Sequence, residues 1–193
     1  MIREIVHYDN PVLRAKGKEI GASTPAIKAL VEDMLDTMRA ARGVGLAAQQ
    51  IGEALQLAVI DITGVKERPS KMWIGGKPVE PEEFMPMILI NPVLKSTKTK
   101  IVSHEGCLSF PGLTLDVARS QRVSVKTRTL DGGTFEFDAG GLLGRAVLHE
   151  VDHLHGKLFI DLITAEERRA IREDLEYIKR GEPIPVHPDE EEA

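Results

Sequence analysis

The sequence predicts an α+β protein in which antiparallel strands fill the middle of the chain and helices lie on either side of them. Apolar residues recur at helical spacing after Thr24, in residues 142–155 and after Thr164. Residues 122–130 and 134–138 instead alternate polar and apolar side chains, as half-buried strands do. This order predicts antiparallel sheets with a helix towards each terminus and a third, more apolar helix in the last third of the chain.

The first helix is predicted to begin after Thr24, which suits an N-cap, with Pro25 at the first helical position. Gly43 is expected to end it. The apolar residues of its buried stripe are Ile27, Leu30, Val31, Met34, Leu35 and Met38.

Short strands are predicted downstream of this helix. The predicted strands cover residues 55–62, 87–90, 113–117, 122–130 and 134–138. Between the first two, residues 63–86 contain several prolines and glycines and predict a long excursion. Asp131-Gly132-Gly133 is typical of a hairpin turn, so the last two strands are expected to pair antiparallel.

The C-terminal part is predicted to hold a further strand at residues 158–162 and a last helix. Thr164 and Glu167 match a capping box, and Gly181 is expected to follow the end of the helix at Arg180. Residues 182–193 combine three prolines with an acidic cluster and predict a flexible tail. We therefore expect one catalytic domain, residues 1–181, followed by this tail.

Composition and charge limit the class of protein. The fractions of hydrophobic (42%) and charged (28%) residues are ordinary for a globular protein, and no apolar run is long enough to cross a bilayer. The first residues lack the pattern of a secretory signal, so the expectation is a cytoplasmic protein without a membrane partner. The net charge of −5 comes mostly from the acidic tail, which argues against nucleic-acid recognition through bulk charge.

The most informative stretch is Leu148-His149-Glu150-Val151-Asp152-His153-Leu154. On a helix, His149 and His153 lie one turn apart on one face, where two imidazoles can hold one metal ion beside the carboxylate of Glu150. The surrounding helix is apolar around much of its circumference and is expected to be buried. Buried histidines need a metal or hydrogen-bond partners to offset desolvation, so the pattern favours metal-dependent hydrolysis.

Two imidazoles leave a catalytic metal short of ligands, because such sites usually have three protein ligands and a water. Cys107, the only cysteine, lies between Gly106 and a Pro-Gly turn and is the natural third ligand. Upstream, Gly43-Val44-Gly45-Leu46-Ala47-Ala48-Gln49-Gln50 is expected to form a tight turn. The side-chain amide of Gln50 could donate a hydrogen bond to a substrate oxygen.

Three stretches together resemble, in order and spacing, the signature motifs of the peptide deformylases. They are residues 43–50, Glu105-Gly106-Cys107-Leu108-Ser109 and residues 149–156. The resemblance spans roughly residues 5 to 165. It implies an enzyme that removes the N-formyl group from the initiator methionine of nascent polypeptides and releases formate. The family fold that it implies, antiparallel β-sheets around a central metal-binding helix, agrees with the predicted elements.

The resemblance also implies a role for each matching residue. Cys107, His149 and His153 would hold the metal, and a water bound to it would attack the formyl carbon with Glu150 as general acid/base. The Gln50 side chain and the Leu108 backbone N–H would stabilise the oxyanion. The residues expected to line the cleft and bind the peptide as an added strand are Val44, Gly45 and Gly106.

The resemblance implies Fe²⁺ in the cell, with Ni²⁺, Co²⁺ or Zn²⁺ as possible substitutes, because ligand identity alone does not select the metal. The expected partners are the formyl-methionyl nascent peptide and the ribosome surface, the latter through the last helix. Arg119 and Asp152 either support the metal ligands or form an ordinary ion pair.

The chain departs from the family pattern at a few positions. Leu148 stands where glutamine is common, Gly112 stands where an acidic residue is frequent, and Leu113-Thr114-Leu115 lacks an arginine that often holds the substrate. The metal ligands and the base are all present, so the substrate contacts are less well defined than the metal site. The excursion at residues 63–86 is expected to rim the cleft.

Two other readings stay open at this stage. A zinc peptidase of the wider His-Glu-x-x-His class would take a later residue, such as Asp161 or Glu166, as its third ligand. A non-catalytic protein could use the same three ligands for a structural metal site.

Overall fold

The fold is described from a computed structural model, in which residues 1–185 are described. The four α-helices of this part are α1 (Pro25–Ala40), α2 (Gly141–Leu154), α3 (Ala165–Ala170) and α4 (Arg172–Lys179). Its nine strands are β1 (Gly45–Ala47), β2 (Leu57–Ile60), β3 (Ser70–Ile74), β4 (Lys77–Val79), β5 (Met87–Ser96), β6 (Lys100–Cys107), β7 (Phe110–Ser120), β8 (Arg122–Arg128) and β9 (Thr134–Gly140). The predicted α+β class is confirmed.

Seven strands form one sheet in the order β1-β2-β5-β8-β9-β3-β4, and every neighbouring pair is antiparallel. The remaining strands, β6 and β7, pair only with each other as a second, two-stranded sheet. No helix in residues 1–185 is long and apolar enough to cross a bilayer.

Helix α2 is the central element. Its apolar side chains, including Leu143, Val147 and Val151, pack with residues of the larger sheet in one buried cluster. Eleven of its residues are buried, which confirms the expectation of a helix covered on most sides. Gly144 sits where an added Cβ would lie 2.9 Å from the carbonyl oxygen of Ala139, so glycine permits the close approach of α2 to β9.

Helix α1 packs in a second cluster against β1, β2 and the turn that follows β1. Thr24 caps it as predicted, because its side chain accepts a hydrogen bond from the Ile27 N–H. At the other end the Gly43 N–H donates to the Met38 carbonyl at 2.9 Å, and Arg42 takes the left-handed conformation with φ of 55°. This is the hydrogen-bond pattern of a Schellman motif, with an arginine where glycine is usual.

A third cluster joins β7, the C-terminal helices and the N-terminal arm. Phe110 and Phe159 meet edge to face within it, with ring centroids 5.0 Å apart. Ile184 also packs against this cluster, close to Gly112. The beginning of the predicted tail therefore contacts the body of the protein, whereas residues 186–193 lie outside the described residues. The predicted domain boundary at residue 181 stays a prediction.

Several predicted elements differ in detail from the structure. Residues 158–162 do not form a strand, because Phe159–Asp161 is a 3₁₀ turn. The last helix is two helices, α3 and α4, which are interrupted at Ile171. The excursion at residues 63–86 contains the hairpin of β3 and β4. β6 was not expected, and it pairs with β7 up to Cys107.

Gln49 is a buried polar residue whose replacement by an apolar side chain is expected to stabilise the fold. Its side chain is fully buried, and neither its Oε1 nor its Nε2 has a hydrogen-bond partner within residues 1–185. A buried amide without partners costs roughly 1–3 kcal/mol, so we expect Gln49→Met to raise the free energy of unfolding by about 1 kcal/mol. In a thermal melt this corresponds to a Tm higher by about 2–4 °C.

Gln56 provides the matched control. It is also buried, but its Nε2 donates to the carbonyl oxygens of Gly17 at 3.2 Å and Leu154 at 2.9 Å. We expect Gln56→Met to lower the Tm, because it leaves these carbonyl groups without their donor. A Tm that falls equally in both variants would contradict the interpretation of Gln49.

Candidate metal centre and active-site cleft

The three predicted metal ligands converge in the structure. The ligand atoms of Cys107, His149 and His153 all lie within 4.8 Å of one another, and Cys107 Sγ is 3.3 Å from His153 Nε2. Cys107 ends β6, while the histidines lie one turn apart on α2. The small sheet and the central helix thus supply one ligand set between them.

The donor set fits a divalent metal ion. In a tetrahedral zinc-type site, a sulfur ligand and a nitrogen ligand lie roughly 3.6 Å apart, close to the separation found here. His153 is buried and its Nδ1 has no hydrogen-bond partner within residues 1–185. Burial and then the positive charge of His149 lower its pKa well below the ordinary value. The ring is therefore neutral, which is the form that binds metals.

His149 is oriented by Glu105, whose Oε2 lies 3.0 Å from His149 Nδ1. With Nδ1 as the donor in this hydrogen bond, Nε2 is the nitrogen that would bind a metal in place of a proton. Burial disfavours the charged ring, but hydrogen bonds with Cys107 and Glu105 raise the pKa of His149 well above its ordinary value. Negative surroundings that favour a proton on this ring equally favour a metal cation.

Glu105 is itself held by two buried arginines. Arg119 binds its carboxylate through two hydrogen bonds, of 2.7 and 2.9 Å, and Arg145 donates to Oε1 at 2.6 Å. Burial opposes ionisation, but the hydrogen bonds from His149 and Arg119 lower the pKa of Glu105 well below its ordinary value. Arg119 also binds Asp152, so the predicted pair of Arg119 and Asp152 reaches His149 through Glu105.

Arg145 ties this group to the small sheet. Besides Glu105, it donates to the carbonyl oxygens of Val117 at 2.9 Å and Ile101 at 2.8 Å. No role was predicted from the sequence for Glu105 or Arg145. Two signals could have drawn attention to them, since Glu105 stands next to Gly106-Cys107 and Arg145 is the only charged residue in the otherwise uncharged stretch 141–148.

The side chain of Glu150, on α2, lies against Gly45 at the start of β1. It is only 4% exposed, and its Oε2 has no hydrogen-bond partner within residues 1–185. Burial raises the pKa of Glu150 to about 7, so its protonated and ionised forms lie close in free energy near neutral pH. A Cβ at position 45 would lie 2.4 Å from Glu150 Oε1, so only glycine leaves room for this carboxylate.

Gln50 is fixed in the same place by both ends of its amide. Its Oε1 accepts a hydrogen bond from the Ala47 N–H at 2.8 Å. Its Nε2 is 3.3 Å from Ser109 Oγ and 3.5 Å from Cys107 Sγ. The amide N–H groups are therefore directed at the side of the site where the three ligand atoms meet.

These groups open into a cleft of about 470 Å³. Eight of the nine predicted site residues line it: Val44, Gly45, Gln50, Gly106, Cys107, Leu108, His149 and Glu150. The ninth, His153, lies behind Cys107 as its neighbour at the ligand cluster. The cleft is walled by the segment before β1 on one side and by the turn between β6 and β7 on the other.

The ligands required by the peptidase reading lie elsewhere. Asp161 pairs with Arg14 and Arg168, and Glu166 is exposed on α3. Within the part of the chain that the structure describes, the cluster of Cys107, His149 and His153 is the one group that could hold a metal. His104, which was not proposed as a ligand, pairs with Asp116 at the surface.

Comparison with known proteins agrees with this geometry. The family model described as "Polypeptide deformylase" matches residues 2–169. A peptide deformylase of Methylacidiphilum infernorum is 58% identical over 184 residues, which cover 95% of this chain and 96% of that protein. One of Opitutus terrae is 41% identical and covers 93% of this chain and 94% of its own length.

Solved structures give the same result for the fold. The crystal structure of a peptide deformylase from Legionella pneumophila superposes with a TM-score of 0.77 at 37% identity, covering 93% of this chain and 96% of that one. The peptide deformylase of Ehrlichia chaffeensis gives a TM-score of 0.80 at 29% identity, covering 94% and 98% respectively.

Proposed function

Because this chain belongs to the peptide deformylase family, whose members are metal-dependent hydrolases that remove the N-formyl group from nascent polypeptides, we propose that the cleft between β1 and β6 is the active site of this chain. The observation that carries the proposal is the convergence of Cys107, His149 and His153 beside Glu150 in a cleft open to a peptide. The same convergence is the reason to prefer this site over a peptidase with a later third ligand.

The proposed metal ligands are Cys107, His149 and His153. A divalent ion held there supplies Lewis-acid chemistry, in that it lowers the pKa of a coordinated water and polarises the formyl oxygen. We propose Fe²⁺ as the ion in the cell, with Ni²⁺, Co²⁺ or Zn²⁺ able to replace it. This choice depends on the family resemblance. The ligand set alone does not select the ion, because one thiolate and two imidazoles suit all four.

Glu150 is proposed as the general base and then the general acid. Its carboxylate accepts a proton from the attacking water as the water oxygen bonds to the formyl carbon. The same carboxyl group then gives the proton to the methionine nitrogen as the C–N bond breaks. The products are formate and a free N-terminal amine. Gly45 leaves Glu150 the space that both transfers require.

Gln50 and Leu108 are proposed to stabilise the negative charge that develops on the formyl oxygen. Gln50 is held by the Ala47 N–H, so its Nε2 needs little reorganisation to donate. Leu108 lies in the turn directly after Cys107 and lines the cleft, where its backbone N–H can serve as a second donor. An oxyanion donor of this kind contributes roughly 10²–10³ in kcat.

The peptide is proposed to bind as an extended strand along Val44, Gly45 and Gly106. These residues lie on both walls of the cleft. Main-chain hydrogen bonds along such a groove accept many sequences, as an enzyme acting on diverse nascent chains requires. We further propose that residues 1–181 are the catalytic unit and that it acts in the cytoplasm, where formylated chains emerge.

The test of the function is formate release from formyl-Met-Ala by anaerobically purified protein whose metal content has been measured. We expect turnover that is lost when a chelator removes the metal and restored by Fe²⁺, Ni²⁺ or Co²⁺. Hydrolysis of internal peptide bonds without formate release would instead support the peptidase reading.

A ribosome contact through the last helices is proposed from what the enzyme must reach. Leu175 and Ile178 of α4 are buried, so deleting this segment would expose the core, and charge changes are the cleaner test. We expect the double variant Arg169→Glu/Arg172→Glu to co-sediment with ribosomes at least about tenfold less than the wild type at low salt. Unchanged co-sedimentation would contradict the proposed ribosome contact. It would not affect the proposal that the enzyme releases formate from free peptides.

A further inference from the structure

The open end of the cleft carries charge of one sign. Two exposed charged residues, Arg42 and Arg68, line it from opposite walls. Two carboxylates, Glu105 and Glu150, also line the cleft, but both are buried at its closed end. A peptide that leaves the reacting centre therefore meets positive charge and no exposed carboxylate among the lining residues.

Neither arginine is neutralised within residues 1–185. No carboxylate of this part of the chain lies within ion-pair distance, 4.0 Å, of either guanidinium group. Arg68 uses Nη2 to donate to the carbonyl oxygen of His104 at 3.1 Å, which holds its side chain against β6. Both charges are thus available to a ligand in the cleft.

The backbone of Arg42 adds an independent observation. Its φ of 55° lies in the left-handed region, where glycine is relaxed and most L residues are strained. Glycine at this position of the Schellman motif would relieve the backbone strain. An arginine kept in a strained conformation at the edge of a binding cleft favours a role for its side chain.

The two arginines lie within reach of the first residues of the bound peptide. Gly45 abuts Glu150, and Arg42 is three residues before it, so it lies at most roughly 10 Å away, the span of three fully extended residues. On the other wall, Arg68 binds His104, two residues before Gly106. A peptide whose formyl end is at the metal ligands reaches this point with its second or third residue.

We propose that Arg42 and Arg68 make this enzyme favour formyl peptides that carry an acidic side chain at the second or third residue, counting methionine as the first. The proposal rests on the peptide-binding mode described under the proposed function. Each exposed ion pair is expected to change affinity by up to about fivefold, and the attraction weakens as salt is added.

The experiment compares the C-terminally amidated peptides formyl-Met-Ala-Glu, formyl-Met-Ala-Gln and formyl-Met-Ala-Lys, with a second set that carries the variable residue at position two. At low ionic strength we expect kcat/KM to be about tenfold higher for glutamate than for lysine in at least one set, mainly through KM. High salt should reduce this ratio towards one. A wild-type ratio near one in both sets would overturn the proposal.

Variants assign the preference to the two residues. Arg42→Gln and Arg68→Gln should each lower the glutamate-to-lysine ratio, and the double variant should bring it to about one. Lys28→Gln, the same loss of charge near the other end of α1 and roughly 20 Å from Arg42, should leave the ratio unchanged. A double variant that keeps the wild-type ratio would exclude these residues as its cause.

Two further measurements distinguish the role of the two arginines from a loss of stability and from a failure of the proposed function. Arg42→Gly removes the charge and relaxes the backbone, so we expect the ratio to fall while the Tm stays at or above that of the wild type. Binding of the deformylated peptides Met-Ala-Glu-amide and Met-Ala-Lys-amide gives the same ratio without turnover. Absence of formate release from the neutral peptide would therefore count against the proposed function, while this binding ratio still decides the role of the arginines.

Discussion

Replacing Glu150 by glutamine is expected to lower kcat for formate release by about 10²- to 10⁴-fold, the range that general acid–base catalysis supplies. Glutamine keeps the shape of the side chain but cannot accept the proton of the attacking water. Because Oε2 of Glu150 has no hydrogen-bond partner within residues 1–185, the amide should fit without disturbing a network. The measurement is kcat with formyl-Met-Ala, accompanied by metal analysis and a thermal melt.

The control for this variant is Glu166→Gln, which makes the same chemical change on the exposed surface of α3. It should retain wild-type kcat. If Glu150→Gln keeps its metal and its fold and loses less than about tenfold in kcat, Glu150 is not the proton-transferring group.

Replacing Cys107 by alanine is expected to abolish metal retention and with it formate release. The substitution removes one of three ligands and leaves two imidazoles, which is too few for a stable catalytic site. We expect the purified wild type to carry about one ion per chain and Cys107→Ala to carry almost none after dialysis. Activity should fall at least about 100-fold, because the loss of a residue that only orients a metal ligand can already cost that much.

His104→Ala is the matched control for Cys107→Ala. It removes a potential ligand from the same strand, β6, but His104 is exposed and pairs with Asp116. Its metal content and kcat should equal those of the wild type. Full metal occupancy in Cys107→Ala would show that another residue completes the site and would favour the peptidase reading.

Local patterns in the sequence were sufficient to predict α1 and also α2, the helix that carries the two histidines. Thr24 and Pro25 marked the start of α1, and the spacing of His149 and His153 on an apolar helix was found in α2. Such patterns depend on neighbours within one or two turns, so the sequence displays them directly.

Contacts between distant residues were not accessible in this way. Glu105 binds Arg145, 40 positions away, and no local spacing indicates such a pair. The wrong strand at residues 158–162 has a related cause, because the apolar run Leu158-Phe159-Ile160 suits a buried 3₁₀ turn as well as a strand. The apolar positions that suggested one helix, Ile171, Leu175 and Ile178, lie at the break and in α4, so they did not reveal the interruption at Ile171.

The separation of the two sheets would give a metal bound at the proposed site a part in folding. β6 and β7 form no strand pairing with the larger sheet, so the hairpin that bears Cys107 is joined to α2 by side chains alone. An ion bound to Cys107 and His153, 46 positions apart, would act as a cross-link that the denatured ensemble lacks. At a free concentration 100-fold above the dissociation constant, such a ligand shifts the unfolding equilibrium by about 2.7 kcal/mol. Loss of the ion would thus cost the enzyme conformational stability as well as turnover.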